Sequence, residues 1–188
     1  MKNNRIAPSI MCIFFNICSF LILAFPAWYF SDTTISKVNN NEIIDQTKTF
    51  INIFGIAKLE KLIENYKLWG SFLEVKYIAI FNILIGLSLT LSLILIITLL
   101  LEVKKKSPQN GKLPKVAKII STISLILTIS ALTIALIFST NSKLVILDTE
   151  TVNHTASFNL SAGIYLFVIF NIASAACGII SPEIKEQE

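Results

Sequence analysis

Charged side chains make up only 15% of the 188 residues, against about 25% in a soluble domain. That is too few to coat a water-facing surface, which excludes an ordinary soluble enzyme. Histidine occurs once, as His154, and a lone imidazole without acidic or thiolate help does not assemble a metal site. There is no His-Glu-x-x-His, Cys-x-x-Cys, Gly-x-Gly-x-x-Gly or phosphate-binding Gly-Lys-Ser/Thr motif. No catalytic, cofactor-binding or metal-ligating residues are therefore expected, and the chain reads as a non-enzyme. Cysteine occurs only as Cys12, Cys18 and Cys177, each inside an apolar stretch. That leaves no disulfide framework for any loop.

Hydrophobic residues make up 54% of the chain, with a mean hydropathy of +0.70. Such a chain is not disordered, because disorder requires too little apolar surface to bury. No charge lies between Arg5 and Asp32, Lys76 and Glu102, Lys118 and Lys143, or Glu150 and Glu183. Each gap exceeds the roughly 20 residues a helix needs to cross about 30 Å of hydrocarbon. Runs such as Leu93-Ile94-Leu95-Ile96-Ile97 lack the alternation of barrel strands.

These patterns predict a single all-α membrane domain over residues 1–188, a four-transmembrane-helix bundle with a small extracellular cap that admits β-strands. The spans are placed at Ile10–Phe30, Tyr77–Leu101, Lys118–Phe138 and Leu160–Ile180. The outer loops are then 31–76 and 139–159, and the inner loop is 102–117. The first run exceeds the 7–15 apolar residues of a secretory signal and lacks a clean cleavage site, so it reads as a span.

Lys2 and Arg5 precede the first span, and Lys104, Lys105, Lys106, Lys112 and Lys115 crowd the connection between the second and third. By the positive-inside rule both termini and that loop are cytoplasmic. The basic run reads as a topology signal. It also explains the sequence pI of about 9.0, leaving no case for nucleic-acid binding.

Within the spans, Asn16 and Ser19, Asn82 with Gly86 and Thr90, Ser124 with Thr128, and Asn171 with Ser174 and Gly178 suit helix packing. Gly86-x-x-x-Thr90 and Ser174-x-x-x-Gly178 have the small-x-x-x-small spacing that lets backbones approach. Cys12 and Cys177 sit near cytoplasmic span ends. They are packing residues first and palmitoylation candidates second. Asn153-His154-Thr155 and Asn159-Leu160-Ser161 are N-glycosylation candidates on the outer side.

The long outer loop carries a β-branched, aromatic segment over Thr47–Ile56, read as a strand. Leu59, Leu62, Ile63 and Tyr66 then recur at helical spacing, forming an amphipathic stretch and a candidate partner surface.

At this point the chain resembles the claudin superfamily of four-span membrane proteins, including its clarin-like and channel gamma-subunit-like members. Phe25-Pro26-Ala27-Trp28-Tyr29-Phe30-Ser31 is similar to the family's Pro-x-Trp-x-x-Ser exit from the first span. Leu68-Trp69 stands where the family has Gly-Leu-Trp before paired cysteines. Gly163-Ile164-Tyr165 and Ala173–Gly178 resemble its small-residue-rich last helix. The chain departs in having Lys67 in place of the motif glycine, no loop cysteines, and a tail ending Glu186-Gln187-Glu188.

The resemblance assigns Pro26, Trp28, Ser31, Leu68 and Trp69 to the family motif. Trp28 has an equal reading as an aromatic anchor at the bilayer interface. The resemblance implies a plasma-membrane protein, without a cofactor, that organises cell-cell or membrane contacts through its outer loops. Its partners would be the lipid bilayer and either itself or another membrane protein. An auxiliary subunit of a channel or receptor is the alternative, and a small uncoupled channel the third.

Overall fold

The structure is a computed structural model, and it describes residues 6–38, 41–55, 75–104, 112–141, 144–149 and 152–180. These residues are mostly helical. Helix α1 covers Ile6–Ser19 and continues as a 3-10 turn over Phe20–Leu23; α2 covers Val75–Lys104, α3 Lys112–Asn141 and α4 Ala162–Ile180. Among the described residues three helices are long and apolar enough to cross a membrane, over Ile78–Leu101, Lys115–Thr140 and Ala162–Ile179.

The expected first span, Ile10–Phe30, requires correction. Helical structure ends at Leu23, and Trp28 already begins a strand. Pro26 explains the stop, because its ring cannot continue a helix and it pushes the preceding residue toward extended geometry. The charge gap ran on to Asp32 and so absorbed the first residues of the strand. The fourth helix likewise begins at Ala162, after Leu160 has completed a strand.

The β-strands that the expectation admitted are present: the described residues form a four-stranded antiparallel sheet beside the helices. Strands β1 (Trp28–Val38), β2 (Asn41–Ile51), β3 (Leu144–Asp148) and β4 (Val152–Leu160) are ordered β2-β1-β4-β3. β1 runs against β2 from Trp28↔Ile51 to Val38↔Asn41, and against β4 from Trp28↔Leu160 to Ser36↔Val152. β3 pairs with β4 through a register shift between Val145 and Leu147.

The strand expected over Thr47–Ile56 thus lies earlier, at Asn41–Ile51, followed by a turn in which Gly55 N donates to Asn52 O. Its polar first half has weak strand propensity, and pairing with β1 overrides that.

The chain divides into two compact units. One comprises Met1–Leu21, Ile83–Ala131 and Leu166–Glu188; the other comprises Ile22–Asn82 and Leu132–Tyr165.

In the first unit, a series of buried positions steps by three and four along every helix. It comprises Ser9, Cys12, Asn16 and Ser19 on α1, and Ile85, Ser88, Ser92, Leu95 and Leu99 on α2, with Leu89 buried beside Ser88. On α3 it comprises Ala117, Ser121, Ser124, Thr128 and Ala131, and on α4 Phe167, Asn171, Ser174 and Gly178, with Ala175 buried beside Ser174. Alternating steps of three and four are the seam of a left-handed bundle.

The polarity of this unit is inverted. Ile83, Leu87, Leu93, Ile97, Ile119, Ile123, Ile126, Ile169 and Ile172 face outward, while Ser88, Ser92, Ser124, Thr128 and Asn171 are buried. Water would penalise each such exposed Ile or Leu by about 1.5–3 kcal/mol, whereas hydrocarbon does not. Without a hydrophobic drive between helices, small and hydrogen-bonding residues hold the interior.

Candidate functional site

The second unit is organised around Pro26, Ala27 and Trp28. Ala27 N donates to Ile51 O at 2.9 Å, and Ala27 O accepts from Ser161 N at 2.9 Å. Pro26 O accepts from Gly163 N at 3.0 Å. Two consecutive residues, immediately before β1, therefore join the end of β2 and the entry to α4. Gly163 is required there, because a Cβ would lie 2.6 Å from Pro26 O and 3.0 Å from Phe25 O.

Trp28 is 2% exposed. Its ring meets Phe81 edge-on at 5.0 Å and Phe138 at 5.3 Å between centroids. Phe158 extends the cluster, 5.7 Å from Phe138 and 5.1 Å from Phe30. The interfacial-anchor reading of Trp28 is corrected by this burial, since an anchor keeps its indole N–H in the wet headgroup layer. Here Trp28 Nε1 is buried without a hydrogen-bond partner among the described residues.

The strand register sorts residues between the two faces of the sheet. Trp28, Ile51 and Leu160 share one row, then Phe30, Thr49 and Phe158, then Asp32, Thr47 and Ala156, then Thr34, Asp45 and His154. That face starts apolar at Trp28 and turns polar along its length. On it, His154 Nε2 and Asp32 Oδ1 meet at 2.5 Å as diagonal cross-strand neighbours. Among the described residues no three His, Cys, Asp or Glu groups come together to hold a metal. The opposite face carries Tyr29, Ser31, Thr33 and Ile35 beside Phe50, Lys48, Gln46 and Ile44. Ser31 Oγ accepts from Gln46 Nε2 at 3.0 Å, and Lys48 Nζ lies 5.7 Å from the Tyr29 ring centre.

His154, Asn153 and Asn159 were expected in an outer loop but lie on β4, a central strand. Asn159 Nδ2 donates to Ser157 Oγ at 2.9 Å. The missed signal was the period of two from Val152 to Leu160, with Val, His, Ala, Phe and Leu alternating against Asn, Thr, Ser and Asn. Leu59, Leu62, Ile63, Tyr66, Leu68 and Trp69 lie outside the described residues.

Side-chain hydrogen bonds run between helices in the first unit. Ser88 on α2 shares hydroxyl contacts with Ser124 at 3.1 Å and Thr128 at 3.2 Å on α3. Ser124 donates to Asn171 Oδ1 on α4 at 3.4 Å. On α1, Asn16 Nδ2 donates to Ser174 Oγ of α4 and to Cys12 O at 2.8 Å. Cys12 Sγ donates to Ser174 O at 3.4 Å and is buried, while Cys177 is half-buried and packs with Cys12, Leu95, Leu99 and Ala117.

Ser174-x-x-x-Gly178 does sit at a close helix approach. A Cβ on Gly178 would fall 2.3 Å from Ser121 Oγ and 3.6 Å from Cys12 Sγ. Gly86-x-x-x-Thr90 does not, and that expectation is corrected. Gly86 has open space where its Cβ would be, and Thr90 Oγ1 donates to Gly86 O within its own helix at 2.8 Å. Asn82 belongs to the second unit, where its Nδ2 donates to Ile53 O at 3.0 Å, bracing the turn after β2 rather than another helix.

Comparison of the sequence with protein-family models and with curated proteins found no match.

Proposed function

We propose that this chain is a non-enzymatic, claudin-like four-span protein of the plasma membrane, with both termini cytoplasmic. It organises membrane contacts through an outer β module. The observation that carries this reading is the pairing of β1 with β4. The first and last of the three stretches that link the apolar helices join in one sheet, and the Pro26–Trp28–Ser31 exit resembling the claudin motif lies at its root. Building a sheet from segments more than 100 residues apart costs chain entropy, and a passive connector needs no such sheet.

The fourth span is α1 with its 3-10 extension. Fourteen α-helical residues and four 3-10 residues rise about 29 Å together, close to the roughly 30 Å hydrocarbon thickness. Its exposed face carries Ile10, Met11, Phe14, Ile17 and Leu21, which suits lipid contact.

The test is retention of partners by tagged protein extracted in mild detergent. Ile35→Asp with Ile44→Asp changes the strand face opposite Trp28 and no helix. Retention of a second copy or another membrane protein should fall while insertion is preserved. Unchanged retention would assign contacts to the helices and overturn this reading.

A further inference from the structure

The turn after β2 combines exposed aromatic side chains with a backbone fastened to a helix. Phe54 is 71% exposed and Phe50 54%, and Phe25, just before Pro26, is exposed as well. Yet Ile53 O accepts from Asn82 Nδ2 at 3.0 Å, and Asn82 is the fifth residue of the apolar stretch Ile78–Leu101. At 1.5 Å of rise per residue, that donor lies about 6 Å inside the start of the stretch. The other two long helices meet the same end of the sheet within their own apolar stretches. Phe138 of Lys115–Thr140 packs on Trp28, and Ser139 Oγ donates to Phe158 O at 3.1 Å. Gly163 of Ala162–Ile179 donates to Pro26 O.

We propose that the Trp28 end of the sheet and the turn over residues 52–55 are sunk in the outer leaflet, with Phe50 and Phe54 against lipid acyl chains. This rests on reading the chain as a four-span membrane protein with the sheet outside. Depth, charge and backbone bonding each identify the occupant as lipid.

Backbone that bonds to the interior of a span lies at the level of hydrocarbon, where the exposed side chains of the bundle already face lipid. No Asp, Glu, Lys or Arg occurs between Arg5 and Asp32, Lys48 and Lys58, or Glu150 and Glu183. All three chain segments that meet at this end are thus free of fixed charge. Charge first appears on the two central pairings at Lys48, opposite Ser31, three rows from the Trp28–Ile51 row. That is roughly 10 Å along the strands. Lys48 Nζ stands 5.7 Å from the Tyr29 ring centre, a cation and an aromatic of the kind that collects in the headgroup layer. An unsatisfied carbonyl is costly in hydrocarbon, and the turn provides for two of its own. Gly55 N donates to Asn52 O at 3.0 Å, and the Asn82 amide takes Ile53 O. In water, solvent would serve that second carbonyl without a helix side chain.

Photocrosslinking of the full chain, reconstituted into phosphatidylcholine vesicles, tests the depth. p-Benzoylphenylalanine in place of Phe54 should form phospholipid adducts, read by mass spectrometry. The replacement is aromatic and Phe54 is exposed, so the fold is kept. The same residue in place of Ile83, exposed on α2, should label lipid too. In place of Ile44, exposed seven rows from Ile51, it should label lipid severalfold less. Equal lipid adducts at Ile44 and Phe54 would lay the whole sheet along the membrane and overturn the proposal. Crosslinks from Phe54 to protein instead, or no adduct there while Ile83 labels, overturn it and leave the spans standing. No lipid adduct at Ile83 overturns the spanning reading itself, and the proposal with it.

Discussion

The amide of Gly163 donates to the carbonyl oxygen of Pro26 at 3.0 Å, and a methyl group on Gly163 would lie 2.6 Å from that same oxygen. The hydrogen bond and the missing side chain are one requirement: the backbone entering α4 reaches the chain leaving α1 only if nothing projects between them. Gly163→Ala is therefore expected to destabilise the protein, because backbone must move to relieve the contact. Gly86→Ala, with open space around it, should be neutral or stabilising by up to about 1 kcal/mol, as alanine is the better helix former. Thermal unfolding in one detergent, run on both variants, compares them directly.

Trp28 makes the largest prediction. Trp28→Ala removes the ring between Phe81 and Phe138 and should cost about 3–5 kcal/mol. Trp28→Phe should cost less than the lost volume suggests, because it also removes a buried, unpartnered indole N–H that carries a desolvation penalty of about 1–3 kcal/mol. Equal destabilisation by the two substitutions would show that the indole N–H finds a partner.

Asn16 and Ser174 should be energetically coupled. Their side chains hydrogen-bond between α1 and α4, and such bonds between membrane helices are worth about 0.6–2 kcal/mol. A double-mutant cycle of Asn16→Leu and Ser174→Ala, read by denaturation in mixed micelles, should return a coupling in that range. Simple additivity would remove this bond from the account of helix association.

Gly178 and Ser121 form a second coupled pair, through volume. Gly178→Ala places its methyl 2.3 Å from Ser121 Oγ and 3.1 Å from Ser121 Cβ, so α3 and α4 must separate. Ser121→Gly in the same chain clears the space, and the double variant should unfold closer to wild type than Gly178→Ala alone. If the double variant is no more stable than Gly178→Ala, crowding against Ser121 is not the cause.

The sequence by itself determined the long helices, and it held the stop after the first of them, which the charge gap running on to Asp32 hid. The runs from Lys76 to Glu102 and from Lys118 to Lys143 exclude charge, and such lengths of apolar residue have little alternative to helix in hydrocarbon. Pro26 ends the first helical run by its covalent ring alone. The inward placing of Ser124, Asn171 and Ser174 was legible too, because polar groups in lipid gain by facing other helices.

Tertiary structure decided what local sequence leaves open. Gly86 and Gly178 look alike in the sequence, yet only Gly178 meets another helix, because contact depends on which side of α2 is left to the outside. Trp28 reads as an anchor until Phe81 and Phe138 arrive from distant parts of the chain to enclose it. The sheet has the same origin: Asn41–Gln46 has weak strand propensity of its own, and its extended geometry depends on hydrogen bonds with β1. β1 in turn takes β4 as its other neighbour, more than 100 residues away. A strand makes its ladder hydrogen bonds only with neighbouring strands, and those partners are set by the folded chain rather than by the segment that needs them.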